Sequence, residues 1–325
     1  MVSLPLLPVT LLALLAGTLL PATELNPQQV RAIVAHGPWP VTPGPDPSNP
    51  VSGQPAAIEF GYRMFREPRM SANGYVTCVA CHQTDRGFTD GIARAHALAP
   101  VERNTPALAN LRLQQRFGWL GSSDSLWQAS LRPLLDAREF GSSPARVAHV
   151  VRIGDGLACR YERSFGLLPS AQSDATVAAN VAKALAAFQE TLTTGRTPFD
   201  DYRDALARGD RSAASRYPIA AQRGARLFVG QGRCAACHTG PNFSDGALHD
   251  RLRTPSLRNV AVTAPYLHDG SAATMHAAVQ RHGDTSAAPR LDASELNDLV
   301  AFLGTLTDAH GAGRRWPVLA PSPCP

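Results

Sequence analysis

Cys78-Val79-Ala80-Cys81-His82 and Cys234-Ala235-Ala236-Cys237-His238 carry the same C-x-x-C-H pattern. In that pattern two thiols add to the vinyl groups of a haem, and the adjacent imidazole takes one axial position on its iron. With six cysteines and ten histidines in 325 residues, chance supplies roughly 0.003 copies of the motif. Two copies are therefore a signal. A structural zinc site or a thioredoxin-like redox pair also uses C-x-x-C, but neither explains a histidine after the second cysteine in both places. The residues imply two covalently bound c-type haems, with His82 and His238 as proximal ligands.

The flanking sequence repeats as well. Glu59-x-Gly61-x-x-Met64-Phe65 precedes the first motif and Gln222-x-Gly224-x-x-Leu227-Phe228 the second. Phe88-Thr89-Asp90-Gly91 and Phe243-Ser244-Asp245-Gly246 follow, then Thr105-Pro106-Ala107-Leu108-Ala109-Asn110 and Thr254-Pro255-Ser256-Leu257-Arg258-Asn259. From there the copies keep a constant offset of 149, which pairs Trp119 with His268, Gly121 with Gly270, Leu126 with Met275 and Pro133 with His282. The chain reads as two related haem modules.

Val177, Val181, Leu185, Phe188 and Leu192 share one helical face, as do Leu296, Leu299, Val300, Leu303 and Leu306. Asp292 with Glu295 predicts a capping box for the second of these. No long alternating pattern predicts strands, and the Gly- and Pro-rich stretches 37–55 and 230–246 read as loops. The expected fold is mainly α, with two tandem cytochrome c-like haem domains. The polar stretch 200–216 suggests the division: 23–200 for the N-terminal module and 201–325 for the C-terminal one.

Residues 1–22 include the short apolar run Leu4–Leu20, broken by Pro5 and Pro8, which predicts a signal peptide and a periplasmic protein. An uncleaved membrane anchor is the alternative, because the run lacks a preceding Lys or Arg. The formal charge of +5 comes almost wholly from arginine, Lys183 being the only lysine. The arginines are scattered rather than clustered, which argues against nucleic acid as a partner. Arginine suits the four propionates that two haems bring. Cys159 and Cys324 have no part in haem attachment and are available to form a disulfide.

The copies differ at the distal face. His282 stands where the first copy has Pro133, which cannot ligate iron, so the second haem can be six-coordinate while the first keeps an open face. Met275, one helical face and seven residues earlier, is the rival ligand. Glu139 follows Pro133 by six residues and is placed to move a proton between the oxygens of a bound peroxide. Trp119 reads either as a core residue or as an electron relay between the haems.

Together these motifs resemble the bacterial dihaem cytochrome c peroxidase family, which also contains the MauG-like enzymes. The resemblance runs from about Ala57 to Leu306 and includes Glu102-Arg103-Asn104-Thr105-Pro106, Arg253-Thr254-Pro255-Ser256-Leu257-Arg258-Asn259-Val260 and Thr263-Ala264-Pro265-Tyr266-Leu267-His268-Asp269-Gly270. It implies that His96 is the removable distal histidine of the peroxidatic haem, Trp119 the inter-haem tryptophan and Glu139 the acid–base residue. It further implies a calcium ion between the haems, held by Asn104, Thr263 and the carbonyl of Pro265. His282 falls where peroxidases carry Met and MauG-like members carry Tyr, which lowers the potential of the second haem. Ala129 replaces a Gln common in the family, and the stretch from Cys237 to Thr254 is short.

The resulting expectation is a peroxidase reducing hydrogen peroxide at the N-terminal haem with electrons delivered through the C-terminal one. Its donor would be a cytochrome c or cupredoxin, and a homodimer is one compatible assembly. One alternative is a MauG-like enzyme oxidising Trp or Tyr of a partner protein. The other is a non-catalytic electron-transfer protein with His82–His96 and His238–His282 ligation.

Overall fold

A computed structural model describes residues 25–285, 290–310 and 323–324. The expected signal peptide, 1–22, lies outside the described residues. Among those described, no helix is long and apolar enough to cross a membrane.

In chain order the helices are α1 (Pro27–Val34), α2 (Pro55–Met64), α3 (Cys78–Cys81), α4 (Leu126–Leu135), α5 (Pro144–Ile153), α6 (Leu157–Phe165), α7 (Asp174–Gln189), α8 (Pro198–Ala207), α9 (Arg211–Ala214), α10 (Ile219–Val229), α11 (Met275–Thr285) and α12 (Ala293–Gly304). The only sheet among the described residues is a hairpin of two-residue strands, β1 (Leu248–His249) and β2 (Leu252–Arg253). The starts of the helices have local causes. Ser125, Ser143 and Ser173 accept amide hydrogen bonds as N-caps of α4, α5 and α7, and Asp292 and Glu295 form the expected capping box of α12.

The internal repeat is structural. Helices α4 and α11 begin 149 residues apart, at Leu126 and Met275, and so do the short 3-10 turns Leu111–Leu113 and Val260–Val262. In each module the helix before the haem loop crosses the last long helix, α2 on α7 and α10 on α12. Phe60, Met64, Val181 and Phe188 fill the first crossing; Phe228, Leu299 and Phe302 fill the second. A fully buried Phe contributes about 1.5–3 kcal/mol by burial. Gly61 and Gly224 set how closely the helices approach: a Cβ there would stand 2.0 Å from the carbonyl oxygen of Ala184 or of Asp298, respectively.

Both chain ends depart from the module boundaries read from sequence order. Ile33 of α1 lies in the second core with Phe199, Tyr202 and Leu303, not in the first. The polar stretch 200–216 is not a free linker: it holds part of α8 and all of α9, and Asp200 is buried because it pairs with Arg258 at 2.9 Å. At the other end, Cys324 forms a disulfide with Cys159 of α6, 165 residues away. Arg160 donates to the Cys324 carbonyl at 3.2 Å, so the tail is fastened to the first module.

The modules meet across a reciprocal seam. The Asn104 amide donates to the His268 carbonyl at 2.9 Å, and the Arg253 amide donates to the Trp119 carbonyl at 2.8 Å. Asn104 and Arg253 are 149 residues apart, as are Trp119 and His268. Each bond is the repeat image of the other, as in a two-fold interface.

Candidate haem sites

The two attachment loops are built alike. In the first, the His82 amide donates to the Cys78 carbonyl at 2.9 Å and Nδ1 of His82 faces the Phe88 carbonyl at 2.9 Å. In the second, the His238 amide donates to the Cys234 carbonyl at 3.0 Å and Nδ1 faces the Phe243 carbonyl at 3.1 Å. Phe88 and Phe243 both have positive φ, at 64° and 51°, which turns each carbonyl back to its histidine. A carbonyl on Nδ1 fixes the proton there and leaves Nε2 as the metal-ligating nitrogen. Burial lowers both imidazole pKa values, that of His238 to about 4, so both rings are neutral, as ligation requires.

The raised thiols argue against a C-x-x-C redox pair. Burial pushes Cys78 up to about 12, and Cys81 and Cys234 each up to about 11. Catalytic C-x-x-C thiols are instead held low. None of the four cysteines is spent in a disulfide.

Over the second loop, the rings of His238 and His282 have centroids 6.2 Å apart and planes at 59°. Two imidazoles sharing one metal through bonds of about 2.0 Å have centroids about 6.3 Å apart, so the spacing of the pair matches that of two ligands of one iron. Met275 packs against the second core beside Val279 and Leu257, and His276 turns to Asn297 on α12 at 2.9 Å. His282 keeps solvent exposure, and the desolvation of its ring lowers its pKa.

Around the first loop, Pro133 lies inside α4. The chain then folds back: the Phe140 amide donates to the Pro133 carbonyl at 3.2 Å, which holds Glu139 next to it. Burial raises the Glu139 pKa, an effect that nearby Arg132 opposes. The Glu139 charge in turn helps to raise the thiols of Cys78 and Cys81, placing the carboxylate within electrostatic reach of both. His96 is exposed on a loop whose Leu98 and Ala99 amides both donate to the Arg138 carbonyl at 3.0 Å. The His96 loop, Glu139 and Pro133 thus converge at one end of α4.

Trp119 lies at the seam, its Nε1 donating to the Asn104 carbonyl at 2.7 Å. Asn104 Nδ2 donates to the Ile92 carbonyl at 3.0 Å, and Thr263 Oγ1 to the Val260 carbonyl at 3.1 Å. The stretch from Cys237 to Thr254, short in sequence, reaches across the seam as the β hairpin, where Leu248 packs over Gly121.

Two arginines of the repeated motifs, given no individual role by the sequence, are buried. Arg253, in β2, has its side chain on the carbonyls of Gly118 and Thr254 and no described carboxylate within ion-pair distance; burial lowers its pKa to about 10. A buried guanidinium without an anion suits a propionate. Arg258 is held by Asp200 and lies 3.6 Å from the Trp39 ring. Both lie in the Arg253–Val260 stretch that carries the resemblance, but nothing local distinguishes the arginine that pairs with a distant carboxylate from the one that does not.

Two thiols, a neutral histidine with Nε2 left for a metal, and a distal face in each of two related helical modules define a dihaem c-type cytochrome. The di-haem cytochrome c peroxidase family model matches residues 55–208, and the cytochrome c model matches residues 221–307. The methylamine utilization protein MauG of Methylorubrum extorquens is 30% identical over 90% of this chain and 89% of its own. The cytochrome c551 peroxidase of Nitrosomonas europaea is 29% identical over 81% of this chain and 83% of its own. A solved MauG-like protein associated with microbial copper homeostasis is 26% identical, with a TM-score of 0.69 over 85% of this chain and 96% of its own. The chain belongs to the dihaem cytochrome c peroxidase and MauG-like family.

Proposed function

We propose that the protein is an exported, periplasmic peroxidase that reduces hydrogen peroxide in its first module with electrons entering through its second. The observation that carries this reading is Glu139, a carboxyl raised by burial beside Pro133 and within reach of Cys78 and Cys81. Cys78, Cys81 and His82 would hold one haem; Cys234, Cys237, His238 and His282 would hold the other. Each haem supplies a redox-active iron. Glu139 takes a proton from the near oxygen of peroxide and returns it to the far one as the O–O bond breaks. His96 guards the first distal face at rest. Trp119, bonded to both modules, offers the path between them, and Asn104, Thr263 and the Pro265 carbonyl would hold calcium at the same seam.

A MauG-like reaction on Trp or Tyr of a partner protein is the second reading, favoured by a residue other than Met at position 282 and by the likeness to MauG. The test mixes haem-loaded, one-electron-reduced protein with peroxide and reduced cytochrome c or cupredoxin. Peroxide loss matched by donor oxidation is expected. No peroxide loss overturns the proposal, and loss only alongside a mass change in a co-encoded protein selects the second reading.

A further inference from the structure

The segment ahead of the first module runs to the back of the second haem loop. His36, two residues beyond α1, is 2% exposed. Its Nδ1 faces the Ala32 carbonyl at 2.9 Å and its Nε2 faces the His238 carbonyl at 3.1 Å. The ring also packs on Phe243, with centroids 4.7 Å apart. Phe243 is the residue whose carbonyl faces Nδ1 of His238. One imidazole therefore touches both supports of the proximal ligand: its own peptide and the residue that sets its ring.

The segment is itself anchored. Arg203 donates to the Val34 carbonyl and Arg196 to the Trp39 carbonyl, each at 2.8 Å. Trp39 lies 3.6 Å from the Arg258 guanidinium, which donates to the Pro241 carbonyl of the haem loop at 2.6 Å. The first loop has the same His–Phe contact, His82 to Phe88, but the core residue of α1, Ile33, lies in the second core.

We infer that His36 carries its proton on Nε2, the ring nitrogen facing the His238 carbonyl rather than the one facing Ala32, and is thereby a positioning residue for the second haem, holding the His238 peptide and with it the plane of the His238 ring against His282. The angle between two axial imidazole planes governs the magnetic anisotropy of low-spin ferric iron, so the role has a spectroscopic signature. It depends on the haem at Cys234 and Cys237, not on the peroxidase reaction. Failure to consume peroxide therefore leaves it standing.

The experiment compares fully haem-loaded wild type with His36→Phe, which keeps a ring against Phe243 without a donor, and His36→Gln, which keeps a donor. His36→Phe is expected to shift the low-spin g-values and midpoint potential of the second haem and to leave those of the first unchanged. His36→Gln is expected to return both toward wild type. Wild-type g-values and potential in His36→Phe would overturn the inference. Nitrogen-15 NMR of the wild-type protein gives a second test that needs no variant. A slowly exchanging, hyperfine-shifted proton on Nε2 of His36 is expected, and a proton on Nδ1 with a bare Nε2 would overturn the assignment.

Discussion

The rings of His238 and His282 have centroids 6.2 Å apart, close to the spacing of two imidazoles on one metal. The repeat puts Pro133 at the corresponding point of the first module, where no ligating atom exists. One fold thus presents two distal faces of different chemistry, and this asymmetry underlies the proposed division of labour. Nitrogen ligation in place of thioether sulfur predicts a low-potential second haem.

Glu139 sets a pH dependence. Its carboxyl is raised above the ordinary value of 4.5 by burial, so the folded protein keeps a proton that the unfolded chain releases. The stability contributed by this group is present below the unfolded pKa and is lost as pH rises through the raised folded one. Glu139→Gln is expected to flatten that slope in denaturant titrations. It should also lower peroxide turnover on the order of a hundred- to ten-thousand-fold and remove the carboxylate limb from the pH–rate profile.

Asp200→Ala leaves the Arg258 guanidinium buried without its partner, the two side chains being 1% and 0% exposed. Removing one member of such a pair costs about 3–5 kcal/mol. Chemical denaturation followed by Trp fluorescence checks this, and a loss below 1 kcal/mol would contradict the burial argument.

The helix crossings respond to a single methyl group. Gly61→Ala and Gly224→Ala each drive a Cβ against a backbone carbonyl of the crossing helix, Ala184 and Asp298 respectively. Each is expected to lose about 1–3 kcal/mol or more by overpacking. Thermal melts and haem stoichiometry measure the effect.

Cys159 and Cys324 close a long loop. Replacing both with Ser is expected to cost about 2–4 kcal/mol of stability, with haem content unchanged because the attachment cysteines are separate. Comparing denaturation midpoints of variant and wild type under oxidising conditions checks it.

Much of this was legible in the residues. The two C-x-x-C-H motifs, the constant offset beyond Thr105 and the capping box of α12 are local patterns, and local patterns fix local geometry. The packing of Ile33 beside Leu303 has no local signature, because contacts between residues so far apart depend on how whole helices assemble. Asp200 stood only as the start of a polar stretch, because charge pattern cannot reveal the distant Arg258 with which it is buried. His36 carried no signal at all, since its role depends on a carbonyl 202 residues away.

The two different distal faces are the feature on which the division of labour depends. Near-infrared magnetic circular dichroism with EPR of the ferric protein identifies each sixth ligand. The expected result is a bis-histidine second haem that His282→Ala converts to high spin and Met275→Leu leaves unchanged, and a first haem that only His96→Ala opens. A second haem with a His–Met signature, or one indifferent to His282→Ala, would contradict it.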